Sequence, residues 1–146
     1  MNRSGKLVTT TVANLRAGRA QKLLAAATAA TAVPVGFEIY INHYAGSFGN
    51  KWMWTPVLLS PVLSAAGVAG VVSERAATTV LPALGSLYVA DGLAGLYFHL
   101  RGVQRKPGGF KEITYNLPMG PPALAPGALA MIGGLAVAAG IMRRER

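Results

Sequence analysis

Charged residues are absent from long reaches of the chain and crowded into the segments between them. Four stretches stand out: 23–44, 56–73, 76–100 and 123–142. Two of these, 56–73 and 123–142, hold no charged residue, and each of the others holds one acid, Glu38 and Asp91. A bilayer core about 30 Å thick is crossed by about 20 apolar residues of helix. The pattern therefore predicts an all-α integral membrane protein: a four-helix up-down bundle over 23–142, with a long ordered loop between the third and fourth helices. Residues 1–22 form a basic tail or a surface helix around Leu7, Val8, Val12 and Leu15, and 143–146 a basic C-terminal tail.

Proline and small residues refine the spans. Pro56 and Pro122 sit at or just before a first helical turn, where a missing N–H costs nothing. Pro34, Pro61 and Pro82 fall inside spans and are expected to kink them. Small residues recur at four-residue spacing, as in Ala65/Ala69, Ala66/Gly70, Ala130/Gly134/Ala138 and Ala136/Gly140. Such rows let helix backbones approach where lipid supplies no hydrophobic push. The segment from Arg16 through Ala32 has some features of a secretory signal. Its apolar run continues to Tyr40, so it is assigned as a span.

Composition narrows the chemistry. The chain has 146 residues, 52% hydrophobic and 13% charged, with a net charge of +9. In a soluble chain that charge would suggest nucleic acid; beside membrane spans it suggests anionic lipid, so no nucleic-acid partner is expected. Absence of cysteine excludes disulfides, thiolate metal sites and lipidated cysteines. With both termini cytoplasmic, the inner side holds Arg3, Lys6, Arg16, Arg19, Lys22, Arg75, Arg143, Arg144 and Arg146, against Lys51, Arg101, Arg105, Lys106 and Lys111 outside. Positive residues favour the cytoplasm, which points to a bacterial inner membrane with both termini inside.

The strongest functional signal is asymmetry. In an up-down bundle all eleven aromatic residues, from Phe37 to Tyr115, gather in one half or its loops. An aromatic belt ordinarily marks both interfaces, so one-sided loading points to a site or a docking surface. Both histidines, His43 and His99, lie there, with the intramembrane acids Glu38 and Asp91. A carboxylate in hydrocarbon must be paired, protonated or turned to a cavity. The candidate ligand-binding or buried polar cluster is therefore Glu38, Asn42, His43, Asp91, His99 and Arg101. An interhelical hydrogen bond between the first and third spans is the structural alternative.

His43 and His99 are also the minimum pair for a b-type haem, and with Met53 and Met119 a weaker candidate for copper. A quinone is the remaining cofactor expectation; no dedicated metal site is assigned. The loop 101–122 is long, rich in proline and glycine, and expected to lack regular helix. It nevertheless carries Phe110, Ile113, Tyr115, Leu117 and Met119, which predicts an ordered cap over the bundle end. The expected partner-docking set is Trp52, Trp54, Arg105, Lys106, Phe110 and Tyr115.

Phosphate-binding loops, a nucleophile elbow, intramembrane rows of charge and an internal repeat are all missing from the sequence. The first expectation is thus a non-catalytic accessory or anchor subunit of a larger membrane complex, of redox or electron-transfer type. The second is a self-sufficient binder of quinone, haem or lipid. The third is a small transporter or lipid-acting enzyme using Glu38 and Asp91 as acid and base.

Overall fold

Prolines and buried polar side chains, rather than hydropathy, set the helix limits. The structure, a computed structural model, describes residues 3–16 and 18–142; the expected basic tail at 143–146 lies outside the described residues. Helix α1 (Arg3–Arg16) leads through Gly18, in the left-handed conformation at φ 67°, into α2 (Arg19–Ala45). A 3-10 turn (Lys51–Met53) precedes α3 (Trp54–Val72). Next come α4 (Glu74–Thr78), α5 (Val80–Gln104), a 3-10 turn (Gly109–Glu112), α6 (Ile113–Asn116) and α7 (Leu124–Ile141). The described residues are helical without a strand, and Arg19–Ala45, Lys51–Val72, Glu74–Gln104 and Leu124–Ile141 are long and apolar enough to cross a membrane.

Three expected boundaries move, each for a local reason. The first span begins at Arg19 rather than Leu23, because Gln21 is wholly buried. Its Nε2 donates to Ala139 O at 3.1 Å and to Met142 O, adding a side-chain donor at the end of α7, where Met142 N also reaches Ala139 O at 3.3 Å. The third span breaks at Thr79. Pro82 cannot donate to Thr78 O and its ring crowds that carbonyl, so α4 ends there and α5 starts afresh. Ser73 caps α4 through Ala76 N, and the Thr79 hydroxyl closes on Arg75 O at 2.6 Å. Finally, α5 runs on to Gln104, and the loop beyond it contains helical turns at 109–116 that its composition was expected to forbid. Pro107 and Pro118 flank those turns without entering them, and buried Asn116 ties them together by donating to Pro107 O and Gly109 O.

Helix α2 packs chiefly on α3, and α5 chiefly on α7. Gly36 lies against Ser60 while Gly67 lies against Ala25 and Ala29, so this pairing runs in opposite senses along the two helices. The α5–α7 pairing does the same, with Gly85 on Gly133 and Ala136, and Gly92 on Pro126 and Ala130. Of the predicted small-residue rows, Ala66/Gly70 and Ala136 face the core. Gly134 does not: a Cβ there would meet nothing within 4 Å. The core is correspondingly fine-grained, with Ala25, Ala32, Ala66, Ala136 and Ala139 beside Leu63, Leu81, Tyr88 and Leu129.

These contacts predict opposite outcomes for two glycines of α7. A Cβ on Gly133 would lie 2.6 Å from Gly85 O and 2.8 Å from Val89 N, so Gly133→Ala forces the helices apart. The expected loss is about 1–3 kcal/mol. Gly127→Ala meets open space and should gain up to about 1 kcal/mol from helix propensity. Thermal unfolding of the two variants in the same detergent tests the assignment; similar shifts would contradict it.

Candidate functional site

The connector between α2 and α3 is held by aromatic packing on a costly backbone. Ser47 and Phe48 both adopt positive φ, 56° and 46°, which for such residues costs of order 1–3 kcal/mol each. Phe48 offsets this by stacking on Trp54 at 4.0 Å between ring centroids and packing on Tyr40 at 5.7 Å. The backbone closes through Phe48 N donating to His43 O at 2.9 Å. His43 Nδ1 in turn contacts Met53 O at 2.9 Å, fastening the end of α2 to the turn before α3. At the other side, His99 Nδ1 contacts Pro122 O at 2.8 Å and so ties α5 to the segment entering α7.

Between these two ties lies a cavity of about 610 Å³. All four long helices wall it: Ile39, Asn42 and His43 from α2, Pro56 from α3, Asp91, Gly95, Phe98 and His99 from α5, and Ala125, Pro126 and Leu129 from α7. Trp52, Met53, Pro121 and Pro122 close its connector side. The walls are mainly apolar, with the chemistry concentrated in two imidazoles, one carboxyl and two amides.

Asp91 is the central polar group. Thr55 Oγ1 lies 2.5 Å from Asp91 Oδ1, and also 2.8 Å from Trp52 O. Asp91 Oδ2 is buried without a hydrogen-bond partner among the described residues. One turn deeper, Ser60 Oγ lies 2.7 Å from the hydroxyl of fully buried Tyr88. These two contacts lock α3 to α5, so the interhelical bond expected between the first and third spans joins the second and third instead.

Of the predicted cluster, Asn42, His43, Asp91 and His99 converge on the cavity. Glu38 does not join them: it is exposed on the flank of α2, where Asn42 Nδ2 donates to its Oε1 at 3.1 Å and its backbone O at 2.8 Å. Helix periodicity explains the miss, since Ile39 and His43 mark the inward face one position away. Arg101 is likewise exposed, and its guanidinium donates to Tyr97 OH at 3.4 Å. In the docking set, Trp52 borders the cavity with Lys51 Nζ 5.8 Å from its ring centroid, while Trp54 belongs to the Phe48 stack. Arg105, Phe110 and Tyr115 are exposed and Lys106 half-buried on the long loop. The part of that loop that reaches the cavity is Pro121 and Pro122; its Tyr115 and Met119 stay exposed.

Thr55 and Gln21 were missed by sequence reading. Thr55 sits one residue before a helix-entry proline, a position suited to serving a carbonyl the proline cannot, and that was the available signal. Among the described residues no three His, Asp or Glu side chains gather closely enough to hold a metal ion. Each imidazole meets its carbonyl through Nδ1, and Nε2 is the atom that a haem iron would take. No family model, curated protein or solved structure matches this chain.

The Thr55 bridge makes a direct prediction. Thr55→Val keeps the shape but strips the hydroxyl from both Asp91 and Trp52 O, at an expected cost of about 1–3 kcal/mol. Thr55→Ser should recover most of it. Denaturation in detergent compares the three proteins, and a Val variant as stable as the native one would remove the bridge from the account.

Proposed function

We propose that this chain is an integral membrane protein, an up-down bundle of four spans with both termini cytoplasmic in a bacterial inner membrane, and that its interhelical cavity binds an amphipathic apolar molecule of the quinone class. The observation that carries the reading is the cavity itself. It is large enough for a ring-sized head, apolar over most of its wall, and polar at Asp91, His43 and His99. Ligand sites of this kind are mainly apolar pockets with a few convergent polar groups. Its place at the aromatic end suits a ligand whose tail lies in lipid and whose head stays near the interface. A haem between His43 and His99 is the competing occupant, and an absorbance spectrum with a Soret band would identify it.

The test is to purify the chain, extract it with organic solvent and identify apolar molecules by mass spectrometry, beside the variant Ala94→Trp. Ala94 lines the cavity, so an indole there fills it. Native protein should carry a stoichiometric amphiphile and rebind a short-chain quinone or quinol; the variant should lose at least about tenfold in affinity, roughly 1.4 kcal/mol. Equal binding by both proteins would dismiss the cavity as the site.

A second reading, the accessory subunit of a larger complex, is favoured by Glu38. Seven residues before the end of α2, it lies about 10 Å along the helix from Ala45. At that depth an exposed carboxylate costs several kcal/mol in lipid, and one amide from Asn42 compensates part of it. A neighbouring span bringing a basic or hydroxyl side chain would complete it. Exposed Tyr97, Phe98, Tyr115 and Met119 extend apolar surface at the same end. Glu38→Leu should release a partner that gentle detergent extraction otherwise recovers; unchanged recovery, or a native chain that purifies alone, would count against this reading.

A further inference from the structure

Helix α1 sorts its residues by side. At about 100° per residue, Leu7, Val8 and Val12 fall within about 140° of one another, with Ser4 and Thr11 between them. Lys6, Thr9, Thr10 and Ala13 take the other side, and Lys6 lies nearly opposite the middle of the apolar one. Thr9, Thr10 and Thr11 each donate a hydroxyl to a backbone carbonyl, of Gly5, Lys6 and Leu7 respectively, all at 2.8 Å. Thr11 therefore interrupts the apolar side with a hydroxyl that is already engaged.

That side is bare among the described residues. Every residue from Lys6 to Ala13 is exposed, and Leu7, Val8 and Val12 are 69%, 62% and 40% exposed. A helix of this length is marginal in water by itself, at about 12–15 residues. Gly5 and the unbroken β-branched run from Val8 to Val12 lower its propensity further. A surface that takes up the apolar side would hold such a sequence as helix.

The root of α1 points to which surface. Gln21, in the first turn of α2, donates to Ala139 O and Met142 O, so α1 joins the bundle level with the end of α7. Gly70 faces both Ala25 and Ala77, which brings the α3–α4 junction, with its exposed Arg75, to the same end. Residues 1–22 hold Arg3, Lys6, Arg16, Arg19 and Lys22 and no acid. Glu74, the acid at this end among the described residues, is half-buried. Left-handed Gly18 interrupts the helical path, so α1 need not prolong the span. An apolar side, a basic composition and a root at the helix ends together fit a bilayer surface rich in acidic headgroups.

We propose that α1 docks on the anionic surface of the bilayer, with Leu7, Val8 and Val12 against the acyl chains and its basic residues within the field of acidic phospholipid headgroups. This rests on the membrane-spanning assignment above and is independent of what the cavity binds.

The chain has no cysteine, so one polarity-sensitive fluorophore can be placed at a time on the full chain. The sites are Leu7→Cys, Val8→Cys and Val12→Cys on one side, and Lys6→Cys, Thr9→Cys and Ala13→Cys on the other. In nanodiscs of phosphatidylcholine with phosphatidylglycerol, one chain per disc, the first three should emit blue-shifted and the last three as in water. In phosphatidylcholine alone the ratio of docked to free α1 should fall at least about fivefold. Lys6→Gln, added to labelled Val8→Cys, should lower that ratio about fivefold in the mixed discs. Six sites that emit alike overturn the docked side, and equal docking in both lipids overturns the anionic surface as its partner. A blue shift that needs two chains per disc gives the side to a second copy and overturns the proposal. Chains that fail to enter discs at all overturn the spanning assignment beneath it.

Discussion

The structure depends on backbone contact at glycine. Lipid is as apolar as any side chain, so helices in a bilayer are held by close packing and by polar contacts, with no hydrophobic push between them. Here two pairs approach through missing side chains, α2 with α3 at Gly36 and Gly67, and α5 with α7 at Gly85, Gly92 and Gly133. Polar stitches then join one pair to the other. Gln21 reaches the carbonyls at the end of α7, and Ser60–Tyr88 with Thr55–Asp91 joins α3 to α5. The cavity lies between the pairs at the end where stitches give way to connector residues, which is why its walls come from all four spans.

Proline shapes the same end by subtraction. Pro56 lacks the N–H that would reach Trp52 O from four residues on, and the Thr55 hydroxyl lies between that carbonyl and Asp91 Oδ1, 2.8 Å from one and 2.5 Å from the other. Pro122 O accepts from His99, and Pro121 and Pro126 line the cavity. A stretch in which each N–H met its regular partner would leave fewer groups looking for one. The polarity of the site therefore grows out of irregular backbone that the cavity tolerates and a lipid-facing surface would not.

Much of the helical content was legible, because the absence of charge over a span's length is a strong and redundant signal. Four apolar helices follow from it, and the aromatic loading of one end follows from simple position. Less was legible wherever a single contact over long sequence separation decided the matter. Gln21 looks like part of a basic tail until Ala139 is seen beside it, 118 residues away. Gly134 belongs to a small-residue row yet meets nothing, whereas Gly85, outside every row proposed, lies against Gly133 and Ala136. At the site, four of six candidates share a cavity; Glu38 falls outside because one residue of helical rotation, about 100°, separates it from Ile39 on the wall, and Arg101 lies two residues past His99, the last wall residue of α5.

Glu38 and Asp91 then represent two answers to one constraint. Each is an acid on an apolar helix, and in the bilayer proposed for this chain neither would be tolerated as a bare charge. Asp91 turns inward, where the Thr55 hydroxyl meets its Oδ1 and no Lys or Arg lines the cavity. Glu38 faces outward with a single amide beside it, so its remedy lies outside the bundle, in an added proton or a neighbouring span. Asn42 connects the two, since it contacts Glu38 and lines the cavity that holds Asp91. A partner that drew Asn42 toward Glu38 would alter the cavity wall, so partner docking and ligand binding need not be rival readings of this chain. They meet at one amide, one helical turn apart.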